Sequence, residues 1–389
     1  MRTVNILKQN LTSMLQSIHL IRLNAVFWAV ESLLRGKKLS LTSLGRSGAA
    51  KSYTKHAIKR ADRLLGNKHL HKETKTFYKA IAHLLIKNGT KPVILVDWTR
   101  IEPVHIALVA SIVMDGRAIP VYIEVHSQKK DSNPKVMRQF LKELKKIIPA
   151  ACEPIIVTDA GFRNNWFKAV QTLNWDYVGR MRNTPDVCRD GETNWRKLKK
   201  LYQFARTTPT NLGMWTVTRS NPITTRIVAC RKQKHGSKSA PGIGSAKLKI
   251  RRKLIEPWLL ATSLNELSAK RIVKIYSKRM QIEETFRDVK NHRFGWSFRH
   301  ARTNSSNRYE ILLLISTLAM ITVTLVGHAA EMQNIHHKYQ ANTVRNRRVL
   351  SLFFLGNALI FNKNENLIRQ NNILNSIEQL RKITEEIDE

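Results

Sequence analysis

Acidic residues are scarce in this chain of 389 residues: 28 Asp and Glu stand against 67 Lys and Arg, a formal net charge of +39. A soluble surface needs a net charge of only about 2–8 on a small domain. The imbalance therefore implies a polyanionic partner, most simply nucleic acid. Lys and Arg run along almost the whole chain, so that partner is expected to touch several domains. Cysteine is also sparse. Cys152, Cys188 and Cys230 form no C-x-x-C pair, which argues against a zinc site and for a reducing compartment. No signal peptide is expected, because the apolar pattern from Asn5 to Gln16 is interrupted by polar residues. Long apolar runs are missing with one exception, Ile311 to Gly327. It sits at the short limit of a membrane span of about 17–25 residues. It also contains Ser316, Thr317, Thr322 and Thr324, and it reads as a buried core helix, with no membrane partner. No internal repeat is present. The apolar content of 42% is ample for packed cores, and the length suggests two or three domains.

Residues 1–88 read as helices. In "TKHAIKRADRLLGN", Ala57, Ile58, Ala61, Leu64 and Leu65 keep helical spacing, and Gly66 is placed to end the helix. Lys55, Lys59, Arg60 and Arg63 cover its other faces. A short helix, a Gly-containing break and a basic second helix fit a DNA-binding domain; an ordinary solvated helix has the same pattern. From residue 89 the pattern changes. "PVILVDWT" reads as a buried strand, and "HIALVASIV" and "AIPVYIEVH" as a hairpin turning at Asp115-Gly116. A helix follows, capped by Asn133 with Pro134 in its first turn, then a buried strand "PIIVTD" and a helix from about Asn165. Strand, strand, strand, helix, strand, helix is an α/β layer with a mixed sheet. Residues 174–264 are strand-like and irregular and contain a basic loop, "RKQKHGSKSAPGIGSAKLKIRRK", whose Gly242-x-Gly244 is a weak phosphate-loop signal. Strong helices return at 265–330, and 331–389 reads as a helical C-terminal region and a candidate dimerisation element.

The stretch "YSKRMQIEETFRDVK" carries the densest chemistry. As one helix at about 100° per residue, it places Arg279, Glu283 and Lys290 roughly 300°, 340° and 320° from Tyr276, with Arg287 near 20°. Glu283 then lies at the edge of the apolar face, flanked by cations. Two readings remain open on this helix alone: a ladder pairing Glu283 with Arg279 and Arg287, or a carboxylate presented to a cleft. Asp97 near the end of the first strand and Asp159 at the end of "PIIVTD" add two more carboxylates. Charges at the ends of buried strands need a partner or a metal. Three hard oxygen ligands suit Mg²⁺, and two such ions support in-line displacement at phosphorus.

Tyr276-x2-Arg279-x3-Glu283-x6-Lys290 resembles in full the Y-R-E-K signature of the insertion-sequence-four family of DDE transposases. "VDWTR" around Asp97 and "VTDAGF" around Asp159 resemble that family's other acidic motifs, and the length is similar to the insertion-sequence-ten branch. The resemblance implies a ribonuclease-H-like mixed-sheet core at 89–173 and 265–330, interrupted by a β-rich insertion, with an N-terminal helical DNA-binding domain. It implies that Asp97, Asp159 and Glu283 are catalytic and hold two Mg²⁺ ions, with Mn²⁺ as a substitute. Tyr276, Arg279, Lys290 and the neighbouring Arg287 would contact DNA, and Trp258 in "EPWLLATSL" would stack on a flipped base during hairpin formation. The partners implied are terminal inverted repeats and target DNA, bound by a homodimer on paired ends in the bacterial cytoplasm at the nucleoid, with no small-molecule cofactor. A nuclease on the same core without strand transfer, and a non-catalytic DNA-binding inhibitor derived from a transposase, are the rival readings.

Overall fold

The computed structural model describes residues 1–48, 53–102, 104–182, 185–231, 256–293, 295–341 and 343–385. The basic loop from residue 232 onward, with Gly242-x-Gly244, lies outside the described residues. The chain divides into two compact units. The first comprises Met1–Asp131, Lys142–Cys152 and Met280–Glu389; the second comprises Ser132–Leu141 and Glu153–Arg279.

In the first unit, helices α1 (Arg2–Thr12), α2 (Leu20–Gly36), α3 (Leu41–Ser47), α4 (Thr54–Leu65) and α5 (Lys68–Leu85) precede an antiparallel sheet. Its strands are β1 (Val93–Glu102), β2 (His105–Val113) and β3 (Ala118–Ser127). The β2–β3 hairpin turns where Asp115-Gly116 predicts it. Gly116 takes φ +77°, and Met114 N–H donates to the Arg117 carbonyl at 2.9 Å. Every residue of β2 is buried, as its unbroken apolar run requires.

Helices of the same unit complete its core. They are α9 (Met280–Lys290), α10 (Ser306–Met332), α11 (Leu352–Phe361) and α12 (Gln370–Glu385), numbered in chain order after α6–α8 below. The apolar run Ile311–Gly327 lies inside α10. By length and composition α10 could cross a membrane, but 94% of its most apolar window is buried within the protein. Its hydroxyls are satisfied locally: Thr317, Thr322 and Thr324 donate to carbonyls four residues back, at 2.9, 2.9 and 2.8 Å. Helices α2, α5, α11 and α12 and strand β3 all pack on it. The α10–α11 crossing is close enough to demand glycine. A Cβ on Gly356 would lie 1.9 Å from the Val323 carbonyl oxygen, and one on Gly327 would lie 2.2 Å from that of Leu352. The helices of 1–88 share this unit: α2 and α5 lie against the same core helix.

The second unit contributes seven strands, paired in mixed directions. Strand β4 (Ile155–Thr158) pairs in parallel with β5 (Asp176–Met181), and β5 is followed across the sheet by β10 (Trp258–Thr262), β9 (Ile223–Cys230), β8 (Thr210–Val217), β6 (Asp186–Arg189) and β7 (Arg196–Lys197). The strand-like block from residue 174 onward thus continues the sheet that β4 begins. Helix α6 (Pro134–Ile147), of which residues up to Leu141 belong to this unit, starts with the expected cap, Asn133 Oδ1 accepting from Lys135 N–H at 2.9 Å. Helix α7 (Asn164–Gln171) follows β4, and α8 (Ala269–Ser277) follows β10.

Helix α9 is fastened to the edge of the first sheet by polar side chains. Thr285 Oγ1 accepts from Ala118 N–H at 3.0 Å and lies 2.8 Å from the Ala118 carbonyl, to which it donates. One turn earlier, Gln281 Oε1 accepts from Met114 N–H at 3.1 Å. The Thr285 bonds satisfy edge-strand groups of Ala118 that water would otherwise have to reach, while Met114 N–H is shared with the Arg117 carbonyl of the hairpin turn. Thr285→Val keeps the shape and strands the Ala118 groups. It should lower the unfolding free energy by about 1–3 kcal/mol in a denaturant titration; an unchanged midpoint would show that solvent replaces the hydroxyl at no cost.

Candidate active site

The stretch 276–290 is not one helix. Helix α8 stops at Ser277 and α9 begins at Met280. Between them Lys278 N–H and Arg279 N–H donate to Ile275 and Tyr276 carbonyls, at 3.2 and 3.0 Å, in tighter i−3 bonds. The boundary between the two units falls at this break. The single-helix projection of Tyr276 onto Glu283 therefore fails. Local backbone tightening, which side-chain periodicity does not register, is the reason.

Within α9 the geometry is simple. Gln281, Thr285 and Asp288 form the fastened face, and Arg117 Nε donates to Asp288 at 2.5 Å. Glu283, Arg287 and Lys290 lie roughly 200° around the helix from Gln281 by the same geometry. Glu283 is exposed in the first turn rather than at the edge of the buried face. Arg287 pairs with Glu284, which also lies 3.9 Å from Arg117. Glu283, Phe286, Arg287, Lys290, Arg299 and His300 line a cleft of about 350 Å³.

Asp97 lies in the middle of β1, opposite Val109 of β2, because the strand continues to Glu102 beyond its apolar part. It is half-buried, and its charge acts on Lys290. Lys290 Nζ donates to Thr99 Oγ1 at 2.6 Å, two residues along the same face of β1. Burial pushes the Lys290 ammonium down to about 8; Arg299 lowers it further and Asp97 opposes the shift. Asp97 and Lys290 are thus brought together within the first unit.

In the second unit Asp159 directly follows β4, its Oδ1 accepting from Gly161 N–H at 2.8 Å in a tight turn. Tyr276 is only 3% exposed. Its ring meets Trp258 edge-on, with centroids 4.8 Å apart. Burial raises the Tyr276 hydroxyl pKa; Arg279 and Arg180 act against this and the Asp159 charge adds to it. Asp159, Trp258, Tyr276 and Arg279 are therefore neighbours here. Beside them is a group that reading by motif missed: Glu256 pairs with Arg180 at 3.3 Å and Arg182 at 3.1 Å, and accepts from the Tyr202 hydroxyl at 2.5 Å. Its signal was the alternation in "VGRMR", which puts Arg180 and Arg182 on one face of a strand. A cavity of about 640 Å³ opens here, lined among others by Asp159, Phe162, Arg163, Arg180 and Arg182.

Residues 88–321 match the family model described as the transposase DDE domain, over more than half of the chain. The chain belongs to the DDE transposase family. No curated protein matches it at a significant level. The matched span takes in Asp97, Asp159, Trp258, Tyr276, Arg279, Glu283, Arg287 and Lys290. DNA is the partner of a transposase, in keeping with the charge of +39. The basic residues of α4 lie outside that span. Lys55, Lys59, Arg60 and Arg63 are exposed, and the Arg60 guanidinium sits 4.3 Å over the Trp28 ring.

Among the described residues no group of three or more His, Cys, Asp or Glu side chains forms a metal cage on its own. Mg²⁺ does not need one. It binds through one or two carboxylates and takes its other oxygens from water and substrate phosphates. Oxygen donors of that hardness are what Asp97, Asp159 and Glu283 offer.

The Lys290 shift has a consequence for stability. Its folded-state pKa, about 8, lies below the ordinary 10.5. Burying the charge therefore costs stability below about pH 8, and the cost shrinks as pH rises from there through the unfolded value. In metal-free protein, Lys290→Met should raise the melting temperature more at neutral pH than at a pH well above 8. A gain that is equal or larger at the higher pH would contradict the buried charge.

Proposed function

We propose that this transposase is a cut-and-paste enzyme of the insertion-sequence-four type, nearest the insertion-sequence-ten branch. It binds the terminal inverted repeats of its element, nicks them, releases the ends through hairpins and joins the freed 3′ hydroxyls to target DNA. The observation that carries this reading is the complete Tyr276–Arg279–Glu283–Lys290 spacing inside a transposase DDE domain. The grouping of Asp97 with Lys290, and of Asp159 with Tyr276 and Arg279, supports it.

Asp97, Asp159 and Glu283 are the residues that would hold two Mg²⁺ ions, Mn²⁺ substituting. When bound, such ions activate the attacking oxygen and stabilise the leaving one. The protein's own groups do the positioning. Lys290, Arg279 and the Tyr276 hydroxyl hold phosphates of the transferred end, with Arg287 at the rim of the same cleft as Lys290. A half-buried cation such as Lys290 interacts more strongly with phosphate than a solvated one, because less water screens it. The α4 cations Lys55, Lys59, Arg60 and Arg63 take the DNA backbone outside the catalytic domain. Two copies acting on paired ends, with cleavage in trans and residues 331–389 at the dimer contact, complete the reading. It places the protein in the bacterial cytoplasm at the nucleoid.

Trp258 is half-exposed and braced edge-on by Tyr276, a geometry suited to holding an unstacked base. Base–aromatic stacking returns about 1–3 kcal/mol. Trp258→Ala should leave the first nick largely intact and slow the hairpin step by roughly thirtyfold at the middle of that range. Equal losses at both steps in a protein of lowered melting temperature would assign Trp258 to packing instead. The test of the function itself uses a duplex ending in the inverted repeat that flanks the coding region. Asp97→Ala, Asp159→Ala and Glu283→Ala should each abolish Mg²⁺-dependent nicking while end binding persists, and the unmodified protein should yield a strand-transfer product. Near-normal cleavage by any one variant would remove that residue from the site, and cleavage without joining would leave a nuclease.

A further inference from the structure

Between α10 and α11 the residues 343–350 carry three arginines with two different fates. Arg348 is turned inward. Its side chain is 12% exposed and pairs with Asp115 of the β2–β3 turn and, at 2.9 Å, with Glu331 at the end of α10; it also donates to the Leu350 carbonyl. Arg345 and Arg347 are exposed and, among the described residues, have no acidic partner. The backbone between them is held from one side chain. Gln340 Nε2 donates to the Val344 and Arg347 carbonyls at 2.9 and 3.1 Å, and Gln340 Oε1 accepts from Val349 N–H at 3.1 Å. Thr343, Arg345, Asn346 and Arg347 line an open concavity of about 520 Å³ with no acidic residue in it.

A solvated charged stretch needs none of this. Two like charges two residues apart repel, and fixing the backbone beneath them adds a conformational cost. Such an arrangement is favourable when an anion bridges the two. Guanidinium groups fit phosphate oxygens through planar forked donors, and the neighbouring Thr343 and Asn346 add neutral donors of the kind that contact a DNA backbone. The anchoring also points toward the chemistry. Asp115, which holds Arg348, belongs to the turn whose Arg117 pairs with Asp288 and Glu284 of α9, the helix that bears Glu283. All of these residues belong to the first unit.

We propose that residues 343–347 form a grip for the DNA sugar–phosphate backbone, outside the Y-R-E-K positions and outside α4. The β2–β3 turn keeps this grip at a set distance from α9. The proposal rests on DNA being the partner of this chain.

The test compares the full-length protein with Arg345→Ala/Arg347→Ala and Arg345→Lys/Arg347→Lys. Affinity for a random-sequence duplex of a few helical turns is measured against salt concentration without divalent metal. Each phosphate contact adds a slope of about −0.9 to the dependence of log affinity on log salt. The Ala pair should therefore make the slope shallower by about 2, and the Lys pair should retain the slope of the unmodified protein. A slope unchanged in the Ala pair overturns the grip while leaving DNA as partner. A slope as shallow in the Lys pair as in the Ala pair also overturns it, since charge would then not be what was lost. If the unmodified protein shows no salt-dependent binding, the DNA reading itself fails and the grip fails with it.

Discussion

The arrangement of the first unit depends on how α9 is held. Its back is hydrogen-bonded to Ala118 of the edge strand β3 through Thr285 and to Met114 at the start of the hairpin turn through Gln281, and Asp288 is locked to Arg117 of the same turn. A helix fastened along one line has its opposite line determined, because 3.6 residues per turn leave no freedom of rotation. Glu283, Arg287 and Lys290 occupy that opposite line, and Lys290 is carried against β1, where Asp97 and Thr99 meet it. The polar bonds to β3 also cover an edge that would otherwise invite pairing with another chain. One contact thus serves both packing and the orientation of chemistry.

The shortage of acids explains much of the remaining electrostatics. The few carboxylates are used to hold chosen arginines in place: Glu256 takes Arg180 and Arg182, Asp288 takes Arg117, and Glu331 and Asp115 take Arg348. An arginine held in this way has lost its freedom to find phosphate and acts as a strut. Arg345 and Arg347, which have no acidic partner among the described residues, carry no such restraint. A net charge of +39 is a global number, and it becomes a map only when the acids are seen to remove particular cations from it.

Much of the fold was legible because its signals are local. The hairpin at Asp115-Gly116, the Asn133 cap, the buried strands β2 and β4 and the core helix α10 each follow from a run of a few residues with one periodicity. Two expectations failed for a shared reason. Asp97 was placed near a strand end because the apolar run stops there, yet β1 continues through Thr99 and Arg100 by pairing with β2. Tyr276 and Glu283 were placed on one helix because their spacing allows it, yet the i−3 bonds at Lys278 and Arg279 break it. Apolar pattern marks where a segment is buried, whereas backbone hydrogen bonding decides where it begins and ends.

The sequence by itself determined the spacing of Tyr276, Arg279, Glu283 and Lys290, the two aspartate motifs and the excess of positive charge, because each is a property of order and composition alone. The tertiary structure decided which of those groups meet. Asp97 is set against Lys290, Trp258 and Asp159 are set around Tyr276, and Glu256 sits beneath two arginines that no motif marked. Those neighbours lie from 18 residues apart (Trp258 and Tyr276) to 193 (Asp97 and Lys290) along the chain. Strand pairing and helix docking bring them together, and both depend on hydrogen bonds and packing between distant segments that no local window contains.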